Sequence, residues 1–241
     1  MIILTAGHTG AGTGAQCIAT QFDEGTETIW LRDKVAEILT NKYGLAVLID
    51  NDTASLQLLA QSINDATSIY LEKQCVPDAQ DKRSGPQSKT SEANTTVDRR
   101  PLTSCDKREQ RSLLQLPSEA RNLSKAINVD DIIIDIHFNA HTNPNARGTE
   151  TIVSDDATDT ELRIASKFAH ITAQTLEIPL RCIKSESQTP HKRLAMLHLT
   201  PQSIILEVCF ITSPDDAEAY RKNRYKLANK LAQTIAKLVK P

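Results

Sequence analysis

Four residues stand out because their chemistry and their place in the pattern both point to catalysis: His8, Glu27, His137 and Glu207. His8 follows the apolar run Ile2 to Thr5, inside the glycine-rich stretch Ala6-Gly7-His8-Thr9-Gly10-Ala11-Gly12. His137 closes the β-branched run Ile132-Ile133-Ile134-Asp135-Ile136, where alternation sends it to the face opposite Ile134 and Ile136. Glu27 precedes Leu31 by four residues and Val35 by eight, on the stripe of a helix that must face a sheet. Two neutral imidazoles and one carboxylate make a catalytic zinc set that leaves a fourth position open, and no paired thiolates suggest a closed structural site. Glu207 is the only charge in Ser203-Ile204-Ile205-Leu206-Glu207-Val208-Cys209-Phe210, and a buried strand rarely holds a Glu without a partner or a task. Its functional reading is a general base beside the metal site.

Each residue has a plainer alternative. A histidine at a strand end can be structural, a Glu in a first helical turn can be a solvated dipole partner, and Glu207 can answer a buried Arg or Lys. Glu24 competes with Glu27, but Gly25 stands between it and the expected helix start near Thr26. The glycine-rich run lacks the Gly-Lys-Ser/Thr ending of a phosphate-binding loop, so nucleotide binding is not expected there. His191 and His198 are candidates for substrate contact or ligand orientation, with ordinary loop histidines as the alternative.

The elements that must position these residues alternate. The strand Ile2 to Thr5 is followed by a helix from about Thr26 to Lys42, a strand from Leu45 to Ile49 and a helical pattern from Ser55 to about Leu71. Strands follow at Asp131 to Phe138, Thr149 to Val153 and Ser203 to Phe210, with a helix at Asp159 to Leu176. Tyr220, Leu227, Leu231, Ile235 and Leu238 mark one stripe of a last helix. The expected class is α/β, a single domain over residues 1–241 with a twisted, mostly parallel sheet flanked by helices. A polar insertion at 75–112 has too few apolar residues to bury itself and is expected to be mobile.

Composition narrows the partners. The 241 residues are 39% hydrophobic and 24% charged with a net charge of -2, which gives no electrostatic footprint for nucleic acid. No stretch approaches the ~20 apolar residues of a membrane span, so no membrane insertion is expected. The five cysteines form no CxxC pair, and Cys209 reads as a packed small hydrophobe. The opening Met-Ile-Ile-Leu-Thr lacks a basic region and a hydrophobic signal core, from which a cytoplasmic product without a signal peptide is expected.

In order, these segments resemble the zinc-dependent N-acetylmuramoyl-L-alanine amidases of cell-wall turnover and phage lysis. The resemblance rests on Ala6-Gly7-His8, Glu27, Asp135-Ile136-His137-Phe138-Asn139-Ala140 and Leu206-Glu207-Val208-Cys209-Phe210-Ile211, with Gly148-Thr149-Glu150 and Thr212-Ser213-Pro214-Asp215-Asp216 as further matches. It implies Zn2+ held by His8, Glu27 and His137, Glu207 as the catalytic carboxylate, and peptidoglycan as the substrate. It also implies action on the wall, as by a phage or prophage lysin. The insertion at 75–112 departs from the family's compact pattern. A zinc metallopeptidase cutting peptide stems and a catalytically inactive wall-binding domain are the rival functions.

Overall fold

A computed structural model describes residues 2–8, 11–50, 130–199 and 202–239 of the chain. The helical pattern at Ser55 to Leu71 and the polar stretch at 75–112 lie outside the described residues.

Continuous β-branched runs build the middle of a six-stranded sheet, as expected of strands covered on both faces. Along the chain the strands are β1 (Ile2–Ala6), a two-stranded hairpin of β2 (Gln16–Cys17) and β3 (Phe22–Asp23), β4 (Val47–Ile49), β5 (Ile132–Asn139), β6 (Thr149–Val153), β7 (Leu180–Ser185) and β8 (Ser203–Phe210). The main sheet runs β4-β1-β5-β8-β6-β7. The first four are parallel to one another; β6 is antiparallel to β8, and β7 follows β6 in parallel. The sheet is therefore mixed and mostly parallel. The reversal at β6 brings its start to the edge where β1, β5 and β8 end.

Three helices occur among the described residues: α1 (Glu24–Tyr43), α2 (Asp159–Leu176) and α3 (Pro214–Val239). Contacts join α3 to both α1 and α2. Leu31, Val35, Phe168, Tyr220, Leu227 and Leu231 pack with the even-numbered strand residues Ile134, Ile136, Leu206 and Val208 in one core. Alternation turns the intervening residues, Asp135, His137 and Glu207, to the other face. There a small apolar cluster of Ile152, Leu197 and Ile205 supports a 3-10 turn at Ala195–His198.

Helix ends follow local chemistry. Asp23 caps α1 by accepting from the Thr26 N–H, and Gly44 ends it at φ 62°. Thr158 and Glu161 form a reciprocal capping box at the start of α2. The start of α1 is two residues earlier than the periodicity suggests, because Asp23 satisfies the first turn despite Gly25. That register decides which glutamate points inward.

Candidate metal centre

The chain leading to His8 is fixed from both sides. Gly7 donates its N–H to Ile136 O at 2.8 Å, which keeps the end of β1 laddered to β5. Ala6 donates to Asp50 Oδ1, itself paired with the buried Arg32 of α1 at 2.8 Å. Thr28 Oγ1 donates to His8 O at 3.1 Å, tying α1 to the same turn.

Glu24, in the first turn of α1, is 3% exposed. Its Oε2 accepts from the Ala15 N–H at 2.8 Å and lies 3.6 Å from His8 Nε2. Its Oε1 accepts from the Phe138 N–H at 3.0 Å and lies 3.3 Å from His137 Nδ1. Burial pushes this carboxyl up, but the His137 contact and the two backbone donors outweigh it and hold the group below its ordinary range. One ligand atom from each of His8, Glu24 and His137 lies within 4.8 Å of the others. This donor set of two imidazoles and a carboxylate fits one divalent cation of the zinc type.

A second layer orients the ligands. His137 Nε2 is 3.1 Å from Asp135 Oδ2, and Asp135 Oδ1 accepts from Thr5 Oγ1 at 2.7 Å. With its Nε2 proton directed at Asp135, the ring offers the Nδ1 lone pair toward Glu24 and His8. The glycines of the loop supply room. A Cβ on Gly7 would lie 2.0 Å from His137 Nε2; one on Gly14, whose φ is +72°, would lie 2.5 Å from His8 Cδ2 and 2.7 Å from Glu24 Oε2. The glycine-rich stretch thus accommodates the rings and the carboxylate that converge on it.

Glu207 is the register partner of His137 on the neighbouring strand. Its Oε2 is enclosed and has no hydrogen-bond partner among the described residues. Burial drives its carboxyl up to about 7; His137 opposes the rise, and Glu24, Glu150 and Asp135 add to it. Among the described residues the ion-pair alternative for Glu207 finds no lysine or arginine: the strongest charge acting on it is the His137 imidazole. Glu207 and the three ligands line one cavity of about 640 Å³, whose other walls include Glu150, Lys184, His191 and Met196.

Of the residues singled out from sequence, the structure brings His8, His137 and Glu207 together, but not Glu27. Its carboxylate turns to Arg224 of α3, with Oε2 3.3 Å from Nη1. At ~100° per residue Glu24 lies within ~20° of both Leu31 and Val35, whereas Glu27 is ~40° and ~80° from them. Glu24 therefore takes the inward position assigned to Glu27 from sequence. The signal for it was Asp23-x-x-Thr26, an N-cap pattern that starts the helix before Gly25. Of the two additional histidines, His191 lines the cavity. His198 Nε2 is 2.8 Å from the buried Glu186, whose other oxygen accepts from the Leu194 N–H, so this pair holds the cavity wall.

Comparisons with known proteins agree in kind. The family model described as N-acetylmuramoyl-L-alanine amidase matches residues 102–240, more than half of the chain. No curated protein matches. Among solved structures, an N-acetylmuramoyl-L-alanine amidase from Clostridium difficile 630 is 18% identical with a TM-score of 0.58, covering 99% of this chain and 93% of that one. An amidase of Nostoc punctiforme is 17% identical at TM-score 0.58, covering 100% and 97%. The catalytic domain of an endolysin targeting Clostridia difficile is 16% identical at TM-score 0.56, covering 97% and 95%. At these identities the structures establish a shared fold. No helix among the described residues is long and apolar enough to cross a membrane.

Proposed function

From the premise that this chain belongs to the N-acetylmuramoyl-L-alanine amidase family, we propose that it hydrolyses the amide bond between N-acetylmuramic acid and L-alanine in peptidoglycan, with zinc held by His8, Glu24 and His137. The observation carrying this reading is the convergence of those three ligand atoms within 4.8 Å, with Glu207 in register beside His137. When bound, zinc supplies positive charge that polarises the scissile carbonyl and acidifies an adjacent water.

The protein's own residues account for the proton movements. Glu207, as carboxylate, takes a proton from the attacking water while the new carbon–oxygen bond forms. It then delivers that proton to the departing nitrogen as the carbon–nitrogen bond breaks, releasing a free amino terminus on alanine. A carboxyl raised to about 7 suits both halves of this task, because neither its acid nor its base form is strongly disfavoured near neutrality. Asp135 holds the His137 ring in its orientation throughout.

Digestion of purified peptidoglycan with and without chelator tests the proposal. The expected products are new alanine amino termini with no new sugar reducing ends, lost on chelation and restored by zinc. Cleavage between amino acids would instead identify a peptidase, and binding without products would identify a wall-binding module. The clustering of the polar residues supports a hydrolase over that module, for which they would not need to converge.

A further inference from the structure

The cavity floor continues beyond Glu207, and its electrostatic sign changes there. His137 on β5 is paired in register with Glu207 on β8, which is paired with Glu150 on β6. Glu150 is 1% exposed; its Oε1 accepts from Asn139 Nδ2 at 2.6 Å, and its Oε2 lies 2.6 Å from Lys184 Nζ and 3.5 Å from Arg181 Nε. One carboxylate thus faces two fixed cations, so this end of the row keeps a surplus positive charge. At the other end stand three carboxylates: Glu24, Asp135 and Glu207. Lys184 is the only lysine or arginine lining the cavity among the described residues, and its side chain is 30% exposed.

The chemistry of the site gives this charge a place along the substrate. The carbonyl is held on the side of His8, Glu24 and His137, and the departing nitrogen is protonated by Glu207. The line from His137 through Glu207 to Glu150 therefore runs from the acyl side of the scissile bond toward the leaving peptide. Neighbouring strands are ~4.8 Å apart, and Lys184 reaches back over β6, so its ammonium lies roughly one strand spacing beyond Glu207. An extended peptide advances ~3.5 Å per residue, which brings the second residue of the leaving peptide within reach of that ammonium.

Building on the amidase reading, we propose that Lys184 is a specificity residue that recognises a free carboxylate on the second residue of the leaving peptide. Glu150 holds the ammonium at 2.6 Å, and because Lys184 lines the cavity and one carboxylate oxygen takes one of three donors, donors are left for a ligand there.

The test compares alanyl-glutamate dipeptides with a free α-carboxylate or its amide. Their affinities for wild type and Lys184→Gln are measured by calorimetry, and kcat/KM on the matching muramoyl dipeptides is measured separately. Wild type is expected to favour the acid by about tenfold, the size of one additional charge-assisted contact. Lys184→Gln should bring the acid-to-amide ratio near one, and Lys184→Arg should retain the preference. A ratio equal in wild type and Lys184→Gln, whatever the absolute loss, would overturn the proposal by leaving Lys184 only the task of neutralising Glu150. Because binding is read without turnover, a protein that distinguishes the dipeptides but cleaves neither muramoyl substrate would sink the amidase reading while upholding this one. Cleavage of both at equal rates with equal binding would do the reverse.

Discussion

The two faces of β5 and β8 alternate along the same two eight-residue strands yet obey opposite rules. Toward the helices, Ile134, Ile136, Leu206 and Val208 are at most 1% exposed and belong to one apolar core. Toward the cavity, Asp135, His137 and Glu207 crowd one basic and two acidic groups together, with a carboxylate oxygen that has no partner among the described residues. The first face supplies burial, at about 25 cal/mol per Å² of apolar area. The second spends part of that stability holding ionisable groups close together in a buried cavity. A strand with period two can do both because adjacent side chains never share a face.

The comparison is broken most severely at Glu207. Glu207→Gln keeps the size and polarity of the side chain, so it should lower kcat by ~10²–10⁴-fold while retaining one zinc per chain. Steady-state kinetics paired with metal analysis checks this; nearly full activity would pass the proton-transfer role to another group, Glu150 first among them.

On the opposite face, Ile134→Ala should destabilise the fold by about 2–5 kcal/mol through lost burial and an unfilled cavity. Chemical denaturation reads the loss, and the folded fraction should bind zinc at the wild-type ratio. A large fall in metal content of the folded protein would show that the two faces are not separable.

The two glutamates of α1 sharpen the same contrast. Glu24→Gln should weaken zinc binding by at least ~10-fold, the scale on which even outer-shell partners act, whereas Glu27→Gln should leave it unchanged. Competition against a chromogenic chelator measures both. A greater effect from Glu27→Gln would restore the assignment made from sequence.

The smallest expected effect is a pH-dependent one. Glu207 is raised by burial to about 7 in the folded protein, above its ordinary 4.5, so its stabilising contribution is complete below the unfolded value and is lost as pH rises through 7. In chelator-treated protein, Glu207→Gln should accordingly raise Tm at pH 8, on the order of 5 °C, with little change at pH 4. Equal shifts at both pH values would mean that the charge of Glu207 costs the fold nothing.

What could be read from the sequence divides along physical lines. The buried strands were legible because a continuous β-branched run with a single interrupting charge admits few arrangements, and His137 and Glu207 came with them. β7 (Leu180–Ser185) went unassigned: an edge strand needs no apolar alternation, and Leu-Arg-Cys-Ile-Lys-Ser has little. The choice between Glu24 and Glu27 turned on a helix boundary: only a helix that already includes Glu24 places that residue on the Leu31–Val35 stripe. Glycine at the second helical position concealed the boundary that the Asp23 cap defines. The pairing of Glu27 with Arg224 depends on how α1 meets α3, which no local pattern encodes.

The order of the sheet has a consequence for how the molecule comes into being. β8 follows every other described strand in the sequence, yet it lies between β5 and β6, joined to each by backbone pairing. Until it is inserted, those two strands have no mutual contact through the ladder, and His137 has no Glu207 opposite it. Assembly therefore requires a late, non-local closure, the kind of event that slows folding and prolongs exposure of unpaired strand edges. Because β8 comes after β5 and β6 in the sequence, synthesis presents His137 before its register partner Glu207.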